Sequence, residues 1–303
     1  MNALKLPTFV VYFSANTLSL LGTWIQKVGL GWLAWQITES TFWTSVVSLL
    51  LMAPVGFLGP FIAVYAESWD ARRAMVITKI MMASISMLIF IIQFLGLHSL
   101  FSLVACSSAL GLLSAFHHPV RLVLISLVVP RSYLASAVGM NSVSWNLSRV
   151  IGPGLAGLTI HMLGLSETFF IAMALYLPLI IALFFLVLQP RIANKNETGS
   201  FFKRMIDGGL VAVGTPIIFA TLCLVSLNSF FVRGVLEIQP AIAGQTLGGE
   251  SYALAIITAA AGIGSLFASA WIGLGRMDKS EIQRYLWPMV FIGIAATAFL
   301  NLS

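Results

Sequence analysis

The sequence has 303 residues, of which 59% are hydrophobic and 9% are charged. Soluble domains carry about 25% charged residues, so this composition excludes an ordinary soluble protein and predicts a polytopic membrane protein. The formal net charge is +6, but the basic residues stand in short loops between apolar runs, a pattern that indicates membrane topology rather than nucleic-acid binding.

Apolar runs long enough to cross a bilayer occur nine times along the chain. The first run follows a short N-terminal segment and is long, so we interpret it as a retained helix and not as a cleaved signal. Most connections are tight, so consecutive spans are expected to pack as antiparallel neighbours. The predicted spans are 8–37, 41–66, 74–96, 99–129, 134–164, 167–189, 210–233, 251–275 and 285–303.

The distribution of lysine and arginine orients these spans. The predicted outer connections carry Glu39, Glu167 and Glu250, and Arg233 is the one basic residue near that face. Because basic residues accumulate on the cytoplasmic side, the pattern predicts a multi-pass protein of the bacterial inner membrane with a cytoplasmic N-terminus. The basic residues of the predicted cytoplasmic segments are Lys5, Arg72, Arg73, Arg131, Arg191, Lys195, Lys203, Arg204, Arg276, Lys279 and Arg284.

The longest polar segment, residues 191–209, follows the sixth predicted span. A segment of this kind suits a transporter that is built from two six-helix halves. It predicts an N-terminal six-helix bundle at 1–190, a cytoplasmic linker at 191–209 and a partial C-terminal bundle at 210–303. Nine spans of an expected twelve leave the second half three helices short, so the chain is expected to be truncated at its C-terminus.

The first predicted cytoplasmic loop, G-P-F-I-A-V-Y-A-E-S-W-D-A-R-R at Gly59–Arg73, resembles the major facilitator superfamily. That family has G-x-x-x-D-R-x-x-R-R between its second and third spans, and this chain departs from the pattern at Ala63 and Ser68. Carboxylates beside arginines at a helix end form and break ion pairs as two bundles move. The resemblance implies a gating loop, whereas an ordinary solvated turn is the alternative. The predicted gating residues are Glu67, Asp70, Arg72 and Arg73.

The fourth span contains A-F-H-H-P-V-R, in which His117 and Arg121 share one helix face. His117 and His118 are adjacent and point about 100° apart, so they do not clamp one metal ion. Histidine exchanges protons near neutral pH, which makes His117 a candidate for proton coupling. A hydrogen-bonded packing residue is the other interpretation.

The fifth span has a polar middle that contains Asn146 and Arg149, followed by Gly152, Pro153 and Gly154. Together with Gly157, the glycines allow close approach of a neighbouring backbone, and proline bends a helix. L-A-S-A-V-G-M-N-S and N-L-S-R-V-I-G-P-G-L-A-G look like the branch of the superfamily that includes the enterobactin exporter and macrolide and multidrug efflux permeases. In this branch the glycine–proline segment packs against the eighth span, so the resemblance implies the same packing here.

Cations within apolar runs are the best sequence indication of a substrate. Lys27, Arg121 and Arg149 lie in the first, fourth and fifth spans, without an obvious carboxylate at the same depth. A cavity lined by these cations and by Asn146 would attract an anion. The alternative is that Arg121 and Lys27 extend to the membrane interfaces and that Arg149 binds helix carbonyl groups. Arg149→Gln is therefore expected to change export or substrate affinity.

The seventh span ends with Arg233 and Glu237, which are one turn apart if the helix continues. Glu237 is a second candidate for proton coupling, with Arg233 beside it, and a structural ion pair at the outer rim is the alternative. The sequence contains no phosphate-binding loop and no catalytic constellation. We therefore predict a protein that is not an enzyme and needs no cofactor or metal.

These features predict an all-α polytopic membrane protein with a major-facilitator-type bundle. The resemblance implies a secondary transporter that exports a small molecule by alternating access, driven by a proton gradient. The cationic residues favour a siderophore-like or other anionic substrate. A multidrug antiporter for lipophilic compounds and a non-transporting truncated subunit are the alternatives. The expected partners are the substrate, the lipid bilayer and protons, but not nucleic acid.

Overall fold

A computed structural model describes residues 3–66, 69–189, 210, 213–228, 237–246, 253–254, 256–258 and 260. In these ranges the secondary structure is helical throughout and contains no strand, which confirms the all-α prediction. The α-helices are α1 (Pro7–Thr38), α2 (Thr41–Ala66), α3 (Ala71–Phe94), α4 (Leu100–Val128), α5 (Leu134–Met162), α6 (Leu165–Phe185), α7 (Pro216–Asn228) and α8 (Gln239–Thr246).

Each of the first six predicted spans corresponds to one helix, with ends that agree to within a few residues. Helices α1, α2, α3, α4 and α6 are long and apolar enough to cross a membrane. Helix α5 is equally long, but its polar residues lower its mean hydropathy. The seventh and eighth predicted spans are described only in part and 285–303 lies outside the described residues, so the number of nine spans stays a prediction.

Helix α1 is the centre of the bundle, because it contacts α2, α4, α5 and α6. Consecutive helices do pack together in the pairs α1–α2, α3–α4 and α5–α6. The most extensive contacts, however, join α2 to α4 and α1 to α6. Helices distant in sequence thus complete the core.

Contacts between residues divide the chain into two compact units. One unit is Met1–Arg191 with Gln239–Leu266, and it contains α1–α6 and α8. The other unit is Ile192–Ile238 with Phe267–Ser303, and it contains α7. The predicted linker at 191–209 lies outside the described residues, and the predicted domain boundaries stay predictions.

Glycines mark the closest approaches between helices of the first unit. A Cβ atom placed on Gly111 of α4 would lie 2.0 Å from the backbone oxygen of Leu50 in α2. One placed on Gly22 of α1 would lie 2.8 Å from the backbone oxygen of Ala172 in α6. Small residues let helix backbones meet in a membrane, where van der Waals packing is a main force of association. These two contacts occur in the two most extensive helix pairs.

Candidate functional site

Lys79 of α3 is fully buried, with 0% of its surface exposed. Its Nζ lies 4.6 Å from the centre of the Tyr176 ring and has no hydrogen-bond partner among the residues that the structure describes. A buried ammonium group without an acceptor is costly for the folded protein. The sequence analysis missed this residue because it lies less than two turns after the predicted start of its span, where a lysine normally extends to the interface.

Arg121 and His117 lie one turn apart on α4, as their spacing predicts. Arg121 is 3% exposed, and its guanidinium carbon lies 4.6 Å from the centre of the Trp145 ring. Its Nε and Nη1 atoms, and both ring nitrogens of His117, lack hydrogen-bond partners within the described ranges. Arg121 therefore does not extend to the membrane interface. It is held in the interior by a cation–π contact.

Tyr12 of α1 adds a third helix to this region. It is 1% exposed, and its hydroxyl has no hydrogen-bond partner in the described part of the chain. Electrostatic interactions connect Lys79 with Arg121, both cations with His117, and Arg121 with Tyr12. We call Tyr12, Lys79, His117 and Arg121 the cationic cluster. In it, Tyr12 of α1, Lys79 of α3 and His117 of α4 each interact electrostatically with Arg121.

The two cations and Tyr12 lie at a similar depth in the bundle. Tyr12 and Lys79 follow the first residues of α1 and α3, and Arg121 precedes the last residue of α4. At 1.5 Å per residue, each lies about 8–12 Å from its helix end. These three ends belong to the side on which the sequence predicts the cytoplasm.

The described carboxylates do not neutralise the cluster. Asp70 and Glu39 cap helix ends, and Glu167 lies in the first turn of α6. Glu237 lies two residues before α8. Neither Lys79 nor Arg121 forms an ion pair with any described residue. Within the described ranges, the cluster therefore has an excess of positive charge. Of its two cations, Arg121 is a predicted cavity residue and Lys79 is not.

A neutral polar network lies beside Lys79. The Tyr176 hydroxyl donates to Oε1 of Gln26 over 2.6 Å, and Nε2 of Gln26 donates to Oγ of Ser86 over 2.6 Å. These three side chains come from α6, α1 and α3, and all are buried. The network fixes the ring on which the Lys79 ammonium rests.

Tyr176→Phe is expected to lower the free energy of unfolding by about 1–3 kcal/mol, because it leaves a buried acceptor on Gln26 without its donor. The ring under Lys79 is kept. The measurement is thermal unfolding of the purified full-length protein in detergent. Tyr133→Phe, at a half-buried position before α5, is the matched control, and equal unfolding temperatures for the two variants would contradict the network.

Helix α5 divides its polar residues between two faces. Asn141, Ser144 and Ser148 are buried against α1, where Asn16 donates to Asn141 over 3.4 Å and the hydroxyls of Thr17 and Ser144 lie 2.6 Å apart. The sequence analysis did not separate this buried face, although its spacing of three and four residues indicates one side of a helix.

Of the residues predicted to line a cavity, the structure places only Arg121 in the cationic cluster. Asn146 and Arg149 lie on the exposed side of α5, and Asn146 donates to the backbone oxygen of Ser142 over 2.9 Å. Lys27 is half-buried, with Nζ 5.1 Å from the centre of the Trp24 ring. The cavity roles of Lys27, Asn146 and Arg149 stay predictions.

The glycine–proline segment of α5 contacts two other parts of the chain. A Cβ atom on Gly152 would lie 2.5 Å from Cβ of Trp24 in α1. The Thr258 hydroxyl, in the predicted eighth span, donates to the backbone oxygen of Pro153 over 3.3 Å. Gly157 is buried and Gly154 is half-buried. The structure therefore places Thr258 at this segment, and the packing of the whole eighth span against it stays a prediction.

The described part of the predicted gating loop makes local contacts. Oδ1 of Asp70 caps α3 by accepting from the backbone N–H of Arg73 over 3.1 Å, and Nε of Arg73 lies 3.2 Å from Oδ2 of Asp70. Both side chains are exposed, so this ion pair stabilises the protein little. Arg72 donates to the backbone oxygen of Leu186, after α6. Glu67 lies outside the described residues, and the gating role stays a prediction.

The three residues predicted to couple transport to protons are not all described. His117 belongs to the cationic cluster. Glu237 is described before α8, whereas Arg233 lies outside the described residues. The pairing of Arg233 with Glu237 therefore stays a prediction.

Comparison with known proteins places this bundle among membrane transporters. A family profile described as transmembrane secretion effector matches residues 1–299. The chain is similar to the staphyloferrin A transporter of Staphylococcus aureus, with 22% identity over 292 residues that cover 93% of the chain and 72% of the relative. It is also similar to macrolide efflux protein A of Streptococcus pyogenes, with 20% identity over 293 residues, 95% of the chain and 72% of the relative.

One solved structure shows the same fold. It is a bacterial homologue of the human lysosomal transporter Spinster in an inward-facing and unoccupied conformation. The TM-score is 0.61 and the identity is 16%, over 85% of this chain and 61% of the solved chain. The chain thus spans less than two thirds of the solved transporter, and the likeness supports the fold alone.

Proposed function

The chain belongs to the transmembrane secretion effector family of the major facilitator superfamily, and we propose that it exports a small anionic or strongly polar molecule, such as a siderophore. Membership of this family makes it a multi-pass membrane transporter. Export by alternating access, coupling to a proton gradient and a cytoplasmic N-terminus are parts of the proposal.

The excess positive charge of the cationic cluster is the observation that carries this proposal. Lys79 and Arg121 are both buried, and neither forms an ion pair with a described carboxylate. Two unit charges 4 Å apart interact by about 4 kcal/mol at an effective dielectric constant of about 20. A cluster that holds Lys79 and Arg121 therefore favours an anion and repels a lipophilic cation.

The depth of the cluster supports export. With the orientation that the loop charges predict, Tyr12, Lys79 and Arg121 lie in the cytoplasmic half of the bundle. An anion that enters from the cytoplasm reaches them first. His117 interacts electrostatically with both cations, and histidine is suited to proton exchange near neutral pH. We therefore retain it as the first candidate for coupling, with Glu237 second.

A multidrug antiporter is the second candidate, because relatives include proteins named for macrolide efflux. The aromatic pairs around Trp145 favour it in part. Its ring centre lies 6.0 Å from that of Trp24 and 5.8 Å from that of His118. Such rings offer an apolar surface for a lipophilic substrate.

Gradient-driven uptake by inside-out vesicles that contain the full-length protein separates these functions. Carboxyfluorescein is the anionic probe and ethidium the cationic one, and vesicles without the protein are the control. We expect uptake of carboxyfluorescein that a protonophore abolishes, with little uptake of ethidium. Uptake of ethidium instead would favour the multidrug antiporter. An absence of driven uptake of either probe would favour the non-transporting alternative.

A further inference from the structure

The cationic cluster has donors that the described protein does not use. Nζ of Lys79, Nε and Nη1 of Arg121 and the Tyr12 hydroxyl are buried without an acceptor. Because buried polar groups in folded proteins nearly always have partners, donors left open together on three helices point to a missing ligand. We propose that Tyr12, Lys79, His117 and Arg121 form a binding site for one oxyanion group, of the carboxylate or phosphate kind, on the transported molecule.

Charge distinguishes an oxyanion from water as the ligand. Water oxygens would accept these hydrogen bonds but would leave the charges of Lys79 and Arg121 uncompensated. No described carboxylate forms an ion pair with either cation. An oxyanion supplies acceptors and negative charge at once, and hydrogen bonds between charged groups are about twice as strong as neutral ones.

Aromatic rings leave the donors of both cations available to such a ligand. The guanidinium carbon of Arg121 lies over the Trp145 ring, and Nε and Nη1 of that group have no hydrogen-bond acceptor among the described residues. The Lys79 ammonium lies over the Tyr176 ring, and its Nζ likewise has no hydrogen-bond acceptor in the described part of the chain. The rings thus hold the two cations in place without satisfying their hydrogen bonds.

This proposal rests on the proposed function, since it names the group by which the transported molecule is held. It also predicts that Lys79 is retained at a cost to stability. Replacing a buried, uncompensated charge with an apolar side chain of similar length is often stabilising, and binding sites commonly carry such a cost. If Lys79 had a purely structural role, the same replacement would destabilise the protein.

Lys79→Met tests the site in the purified full-length protein. Without added anion, we expect the substitution to raise the unfolding temperature by at least about 3 °C. Citrate or inorganic phosphate, at constant ionic strength against chloride, is expected to raise the unfolding temperature of the wild type but not of Lys79→Met. Arg121→Gln is expected to lose the same anion effect. Lys5→Met, at an exposed position, should match the wild type in both measurements.

Three results of these unfolding measurements would overturn the site. They are a lowered unfolding temperature of anion-free Lys79→Met, an equal anion effect in that variant, and no effect of either anion on the wild type. The vesicle experiment separates this failure from failure of the proposed function. Anion-dependent stabilisation without driven uptake would retain the site and reject the exporter. Driven uptake of carboxyfluorescein that is unchanged in Lys79→Met would retain the exporter and reject the site.

Discussion

Arg121→Gln is expected to lower the initial rate of gradient-driven carboxyfluorescein uptake by roughly 10- to 100-fold. The substitution removes a buried charge that is 3% exposed and lies against Trp145. A hydrogen bond to a charged group contributes about 1.5–3 kcal/mol, and each 1.4 kcal/mol is a factor of about ten in binding or rate. The measurement is the initial rate in inside-out vesicles, normalised to the amount of folded full-length protein.

Two other substitutions to glutamine serve as comparisons for Arg121→Gln. Arg131 is exposed between α4 and α5, so Arg131→Gln should leave the rate near that of the wild type. Arg149→Gln tests the sequence-based prediction that Arg149 lines a substrate cavity. A loss of uptake in Arg131→Gln as large as in Arg121→Gln would show a general effect of surface charge and not a binding role.

A third variant at the same position separates charge from shape. Arg121→Lys keeps the positive charge but lacks the planar group that packs against Trp145. We expect it to recover part of the rate that Arg121→Gln loses. If Arg121→Gln exported carboxyfluorescein at the wild-type rate, the positive charge of the cluster would not select the substrate.

The helices could be predicted from the sequence because an apolar run that crosses a bilayer has few structures other than a helix that satisfy its backbone hydrogen bonds. The apolar runs also indicated Arg121, eight residues before the predicted end of its span at 129, but not Lys79, five residues after the predicted start of its span at 74. Helix packing decides whether a lysine two turns from an interface extends outward or is covered by neighbouring helices. In this protein the ring of Tyr176, from a helix distant in sequence, covers it. The sequence around Lys79 does not indicate that this distant residue covers it.

The sequence predicts only in part which polar residues of α5 are buried against other helices. Composition indicates a polar helix, and the sequence analysis emphasised Asn146 and Arg149. The structure buries Asn141, Ser144 and Ser148 instead. A helical period drawn through these three positions, and through Gly152 beyond them, would have indicated the face that packs on α1. The partner of that face could be identified only once the fold was known.

Gly111→Ala is the second substitution with a large expected effect, this time on stability. A Cβ atom at this position would lie 2.0 Å from the backbone oxygen of Leu50 and 3.1 Å from Cγ of Pro54. Neither atom belongs to a flexible side chain, so α2 and α4 must move apart. Overpacking of this kind costs about 1–3 kcal/mol. We expect a lower unfolding temperature in detergent than that of the wild type.

Gly139→Ala provides the matched control, because no atom lies within 4 Å of a Cβ placed on that glycine of α5. The same substitution there should stabilise the helix slightly, by up to about 1 kcal/mol. A lower unfolding temperature for Gly111→Ala and a higher one for Gly139→Ala would confirm close contact between α2 and α4 at Gly111. Equal unfolding temperatures for the two variants would contradict it. Because α4 also carries His117 and Arg121, Gly111→Ala should reduce carboxyfluorescein uptake in the protein that remains folded, and Gly139→Ala should not.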